Sequence, residues 1–141
     1  KKNRDRFGTT MIPSNELKSQ EDALKSAPTI IGFVGDQCPV FVENSYWTKF
    51  LGRDTPVFKG FEKYAKSLNA SVWYCEMEKL KKGYYRLNFT HITDTPNEMG
   101  ENEITEIHTK LLEQSIRRRP EYWLWTHRRW KRSHLKPSDK V

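Results

Sequence analysis

Apolar and polar positions follow two periods along this chain. In "SVWYCEME" and "KKGYYRLNFTHI" the period is two, with Tyr85, Leu87 and Phe89 alternating after a turn at Gly83. That pattern predicts two strands joined as an antiparallel hairpin. In "ENEITEIHTKLLEQSIRR" the period is helical: Ile104, Ile107, Leu111, Leu112 and Ile116 make one stripe, and Pro120 ends it. A weaker helical spacing joins Leu17, Ala23 and Leu24, with Ser14 as cap and Pro28 as stop. Thr55 and Pro56 suit the cap and first position of a further helix. Its apolar face would carry Phe58, Phe61, Ala65 and Leu68, and Asn69 suits its left-handed end. The β-branched run "TIIGFVG", Thr29 to Gly35, predicts a buried strand. "DQCPVFVENSYWTKFLGRD" has no clear period and is expected to be a long loop, a kind that is usually functional or mobile. Helices alternating with strands, and no internal repeat, predict the α/β class.

Composition narrows the partners. The chain has 141 residues, enough for one small domain or part of a larger one. The net charge is +7, and its placement matters more than its size. Residues 117 to 136 hold eight of the 25 Lys and Arg and one of the 18 acids, which leaves seventeen of each sign elsewhere. The excess is concentrated in "RRRPEYWLWTHRRWKR", where four aromatics are interleaved with seven cations. A localised basic patch points to an anionic partner: nucleic acid, an anionic membrane or a lipid head group. Cys38 and Cys75 stand far apart in no CxxC arrangement, which favours free thiols over a disulfide framework or a zinc site. No apolar run reaches the roughly 20 residues that span a bilayer. The opening "KKNRDRFGTT" has no apolar core, so no signal peptide is expected, and the chain reads as starting inside a larger protein.

Few groups carry chemistry by spacing alone. Asp36 sits where the expected strand ends, a position where open α/β sheets bind ligands. Capping the following turn is the blander and, on spacing, the better reading. His108 and Glu113 make an H-x4-E, the signature of glycerolipid and lipid A acyltransferases, where His is the base and the carboxylate orients it. Here the pair lies within a regular helix, so the two side chains point about 140° apart. A partly buried helix histidine is the better reading of His108. His91 and His127 have no metal-ligand spacing, and no metal or cofactor is expected.

A resemblance adds to these readings. "IGFVGDQCPV", "FLGRDTPVFKG" and "RRRPEYWLWTHRRWK" resemble the lipid A biosynthesis (lauroyl/myristoyl) acyltransferase family, in the version found in Bacteroides-like bacteria. The matching elements are D-Q-x-P, F-L-G-x-x-T-P-x-F-x-G and the terminal P-E-x-W-L-W-x-H-R-R-W-K, and the likeness covers nearly the whole chain. It implies a fragment of a mixed-sheet acyltransferase fold with flanking helices, the C-terminal part of one domain over residues 1–141. The departure is large: the family's catalytic H-x4-D/E lies upstream of the Arg-rich "KNRDRFGT" with which this chain opens, and the family's usual N-terminal membrane-anchoring segment is missing as well. The chain alone is therefore expected to be inactive.

The resemblance also implies a reaction and its parts. A fatty acyl chain would pass from acyl carrier protein to a hydroxyl of a lipid A precursor, at the cytoplasmic face of the bacterial inner membrane. Arg4 and Arg6 match a segment that holds acceptor phosphate or supports the base, and Arg suits bidentate phosphate binding. Asp36 matches an acidic position near the active site, in a supporting role. Thr55, Pro56, Phe58 and Gly60 match a segment shaping the acyl or acceptor pocket. Arg128, Arg129, Trp130 and Lys131 fit a surface seated on anionic lipid, since Trp favours the interface and clustered cations favour its head groups. A nucleic-acid-binding module and a non-catalytic lipid-binding domain are the rival readings. Unpaired strand edges and uncovered apolar surface suggest a homo-oligomer.

Overall fold

In a computed structural model of the protein, residues 7–13, 16–43 and 45–136 are described. They fall into two compact units divided between Gly32 and Phe33. Ser14, Arg4 and Arg6 lie outside the described residues.

The first unit is sparse in regular structure. A 3-10 turn over Leu17–Gln20 runs into a short helix α1, Glu21–Lys25, whose first turn is acidic and whose last turn is basic, as the helix dipole favours. Leu17 is buried.

The second unit holds two hairpins and two helices. Strands β1 (Tyr46–Phe50) and β2 (Arg53–Val57) pair antiparallel, with Thr48 opposite Thr55 and Phe50 opposite Arg53. Leu51 and Gly52 make the turn, both with positive φ (50° and 78°), the backbone twist that suits a two-residue hairpin loop. Helix α2 (Gly60–Leu68) follows. Its C-terminus is closed by Asn69 at φ 46°, and the Ala70 N–H reaches back to the Ala65 carbonyl. Strands β3 (Val72–Lys81) and β4 (Tyr84–Thr93) form the second antiparallel pair, turning at Gly83 with φ 80°. Helix α3 (Glu103–Arg118) starts after Asn102 and stops before Pro120.

The expected α/β class holds, as helices with two small antiparallel sheets. The hairpin of 72–93, the left-handed Asn69 and the helix ending before Pro120 are where the pattern put them.

Two expectations fail. Thr29 to Gly35 is not a buried strand. It pairs with no strand among the described residues, and Ile30 and Val34 are 99% and 79% exposed. An apolar β-branched run becomes a strand only where backbone partners meet it. Nor do Thr55 and Pro56 start a helix. They lie in β2, and β1 and the first two residues of β2 fall in the stretch read as loop; α2 begins only at Gly60. Proline is tolerated there because each strand of a two-stranded sheet has a free edge.

The core of the second unit lies where α3 meets α2 and β1. Phe50 and Ile104 are fully buried, with Val57, Phe61, Ala65 and Ile116 around them. Polar groups are buried too. Glu62 accepts from the Thr105 backbone N–H (2.9 Å) and hydroxyl (2.6 Å), and its other oxygen meets Lys66 at 3.1 Å. Burial raises the Glu62 pKa, but the Thr105 and Lys66 contacts outweigh it, so the carboxyl titrates below its usual range.

The two faces of the second hairpin differ. Tyr74, Glu76 and Glu78 on β3 meet α3 and its C-terminus through Ser115 (3.2 Å), Arg118 (2.8 Å) and Arg119. Trp73, Cys75 and Met77 point the other way and are exposed.

Candidate functional site

The terminal basic-aromatic run is folded into a clamp. Its segments form short 3-10 turns at Pro120–Tyr122 and Trp125–His127, and Arg128 then takes a left-handed φ of 55°. That reversal sends successive side chains to two different places. The buried Arg129 donates from Nη2 to the Pro56 carbonyl at 2.9 Å. Trp130 donates from Nε1 to Thr55 Oγ1 at 2.8 Å, and the same hydroxyl donates to the Arg53 carbonyl. Arg132 donates from Nη1 to the Pro39 carbonyl at 2.9 Å. The Cys38 backbone N–H donates to His127 Nε2 at 3.1 Å. That ring nitrogen is therefore the acceptor of a neutral imidazole, with its proton on Nδ1. The Phe50 ring lies between Trp123 (6.3 Å) and Trp130 (6.2 Å), with the Arg129 guanidinium 5.6 Å from its centre.

The clamp grips the Asp36-to-Pro39 loop and the β2 strand together. These are the D-Q-x-P and T-P elements, and the strap is the P-E-x-W-L-W-x-H-R-R-W-K element. Three segments far apart in sequence thus meet in one place.

Asp36 sits at the edge of this junction. Its Oδ1 is buried without a hydrogen-bond partner among the described residues, as are Arg129 Nε and Nη1. The carboxylate acts on its surroundings through charge. His108 packs against Phe61 (4.8 Å between centres) and Tyr74 (5.6 Å). It also lies against Gly35, where an added Cβ would stand 3.5 Å from the ring. Burial drives the His108 pKa down to about 4, and the Asp36 charge only partly opposes this. Burial likewise lowers the pKa of Arg129, opposed by Cys38 and Asp36. At Tyr74 burial is the main cause of a raised pKa, and Asp36 adds to it.

The remaining sequence-predicted residues divide. Phe58 and Gly60 stand at the entry to α2, and a Cβ on Gly60 would come within 2.1 Å of the Phe58 ring, so glycine lets that ring lie over the chain. Glu113 is bound to Arg117 at 2.6 Å, which accords with rejecting a His108–Glu113 pair. Arg128 and Lys131 are exposed, but Arg129 is only 3% exposed. The assignment of Arg129 to a lipid-facing surface is therefore corrected. The reversal at Arg128 turns its guanidinium inward, where the Pro56 carbonyl receives it. Trp130 is half-buried and spends its N–H on Thr55. Sequence reasoning missed His127 and Arg132 as loop-holding residues, and missed Glu62 with Thr105. No periodic signal marks any of them.

No three side chains of metal-ligating type cluster among the described residues, and no helix there is long and apolar enough to cross a membrane. A search of curated proteins and of solved structures gives no match. The family model described as bacterial lipid A biosynthesis acyltransferase matches residues 1–132, and so takes in every segment of the clamp. With that span of the chain matched, the protein belongs to the bacterial lipid A biosynthesis acyltransferase family.

Proposed function

We propose that the chain serves an acyltransferase that moves a fatty acyl group from acyl carrier protein to a hydroxyl of a lipid A precursor, at the cytoplasmic face of the bacterial inner membrane. The observation that carries this reading is the clamp: the three family-like elements converge on the loop holding Asp36. A carboxylate placed by such a loop suits orientation of a base or of a polar acceptor group. Of the residues matched to a pocket segment, Phe58 and Gly60 are partly exposed and suit an acyl chain, whereas Thr55 and Pro56 are fully buried as anchors of the clamp. Arg4 and Arg6 suit the acceptor phosphates by chemical type.

The base itself must come from elsewhere. His108 is neutral at pH 7, but it is enclosed by Phe61, Tyr74 and Gly35, and its helix neighbour Glu113 is engaged with Arg117. His108 thus has no carboxylate partner open to an acceptor hydroxyl, and the exposed His91–Asp94 pair (3.0 Å) lies at the end of β4, on no segment of the clamp, so the 141-residue chain alone should not turn over.

Deletion of the coding sequence in its native host tests the reading. Lipid A examined by mass spectrometry should lose one acyl chain. Returning the whole deleted coding sequence should restore it, whereas the same sequence with Asp36→Ala should not, despite normal accumulation of the protein. Lipid A of unchanged mass after deletion would refute the proposal. Comparing acyl carrier protein and coenzyme A thioesters in extracts identifies the donor.

A further inference from the structure

The outward face of the β3–β4 hairpin carries an apolar strip that nothing covers among the described residues. It runs along four cross-strand pairs, from Trp73 opposite His91 to Lys79 opposite Tyr85. Trp73, Met77, Tyr85, Leu87 and Phe89 on it are 51–65% exposed. Such a strip on a soluble surface marks a contact site.

Charge on the same hairpin decides what kind. The acids Glu76 and Glu78 lie on the opposite face, tied to Arg118, Arg119 and Arg86. The cations at the tip are left over. Lys79 and Lys82 form no ion pair among the described residues, and Lys81 stands 4.3 Å from the centre of the Tyr84 ring. The face is thus apolar along its length, with unpaired cations and tyrosines at one end and a tryptophan at the other. The unpaired cations favour an anionic occupant over a second copy of this same cationic tip, and a lipid surface needs no shape match to the strip.

We propose that this hairpin face seats the protein on an anionic lipid surface, with the strip in the interface and Lys79, Lys81 and Lys82 among the head groups. The inference rests on the membrane-seated part of the proposed function, and is independent of the acyl transfer. It also moves the lipid contact away from the terminal run, whose Arg129, Trp130 and Arg132 are engaged inside the clamp.

Cys75 supplies the test, because it lies exposed on this strip while Cys38 is buried. A polarity-sensitive fluorophore on Cys75 is titrated with vesicles of phosphatidylcholine mixed with the anionic phosphatidylglycerol, and with pure phosphatidylcholine. A blue shift with the anionic vesicles, weaker with neutral ones, is expected. In sedimentation, Lys79→Gln with Lys82→Gln should weaken anionic-vesicle binding about thirtyfold at low salt, and less as salt rises. Met77→Ser with Phe89→Ser should weaken it at all salt concentrations, and Arg128→Gln with Lys131→Gln should leave it unchanged. Binding lost only in the Arg128/Lys131 variant overturns the hairpin assignment while keeping the membrane reading. No binding by the wild type overturns both. A blue shift that appears on raising protein concentration without vesicles makes the occupant a second copy, and also overturns the proposal.

Discussion

His108 should make this protein acid-labile in a defined window. Its ordinary value of 6.5 falls to about 4 in the folded chain, mainly through burial. Between those two values the unfolded chain binds a proton that the folded one does not, so stability rises with pH there. On acidification the loss begins near pH 6.5 and is complete below about pH 4. At 1.36 kcal/mol per pH unit, the gap sets an upper limit of about 3 kcal/mol on the effect. Only Asp36 opposes it through charge, while Phe61, Tyr74 and the Gly35 backbone pack against the ring without a hydrogen bond to it. Urea denaturation of the wild type and of His108→Phe at pH 7.0, 5.5 and 4.5 isolates the contribution, because a phenyl ring keeps the packing and cannot titrate. The difference between the two stabilities should change by about 2 kcal/mol between pH 7 and 4.5. Parallel curves would show that His108 takes up its proton without penalty, and the account of a largely desolvated, neutral ring would fail.

Other substitutions test neighbouring claims. Arg129→Ala should destabilise by about 2–3 kcal/mol, since it strands the Pro56 carbonyl and removes packing beside Phe50, whereas Arg128→Ala should stay within about 0.5 kcal/mol; equal thermal melts would contradict the clamp. Phe50→Ala should cost about 3–5 kcal/mol by emptying the space between Trp123 and Trp130, read by chemical denaturation. Glu62 titrates low when folded, so its contribution is present above its unfolded pKa and fades as pH falls through the folded one. Glu62→Gln should therefore be less stable than wild type at pH 7 by about 1–3 kcal/mol, and the two should converge on acidification.

What could be read in advance was local. The β3–β4 hairpin shows in strict alternation around a turn glycine, and α3 in an apolar stripe closed by proline, because both patterns are set within a few residues. What depended on distant partners stayed hidden. Thr29 to Gly35 has strand composition but meets no strand. The β1–β2 hairpin was masked because its turn places Leu51 at positive φ, where glycine or asparagine would have announced it, and because Pro56 sits inside a strand. In the terminal run the rings and cations were plain. Which arginine turns inward was not, since it depends on a single left-handed residue and on a carbonyl 73 positions away. The α3 stripe, for the same reason, omitted Thr105 and Thr109, which are buried because Glu62 on α2 and the α3 backbone satisfy their hydroxyls.

The clamp bears on the order in which the protein assembles. His127 meets Cys38 across 89 residues and Arg132 meets Pro39 across 93, so both are late contacts in synthesis. Closing such long loops must wait until residues 127–132 have emerged, and it loses conformational entropy before any hydrogen bond is gained. Until then the Asp36 loop and β2 have no strap. A ribosome stalled before His127, or a protease trimming from the C-terminus, would leave both hairpins and α3 in the chain but the Asp36 loop unfastened. Ordering of that loop thus reports whether the strap at 127–132 is present and docked.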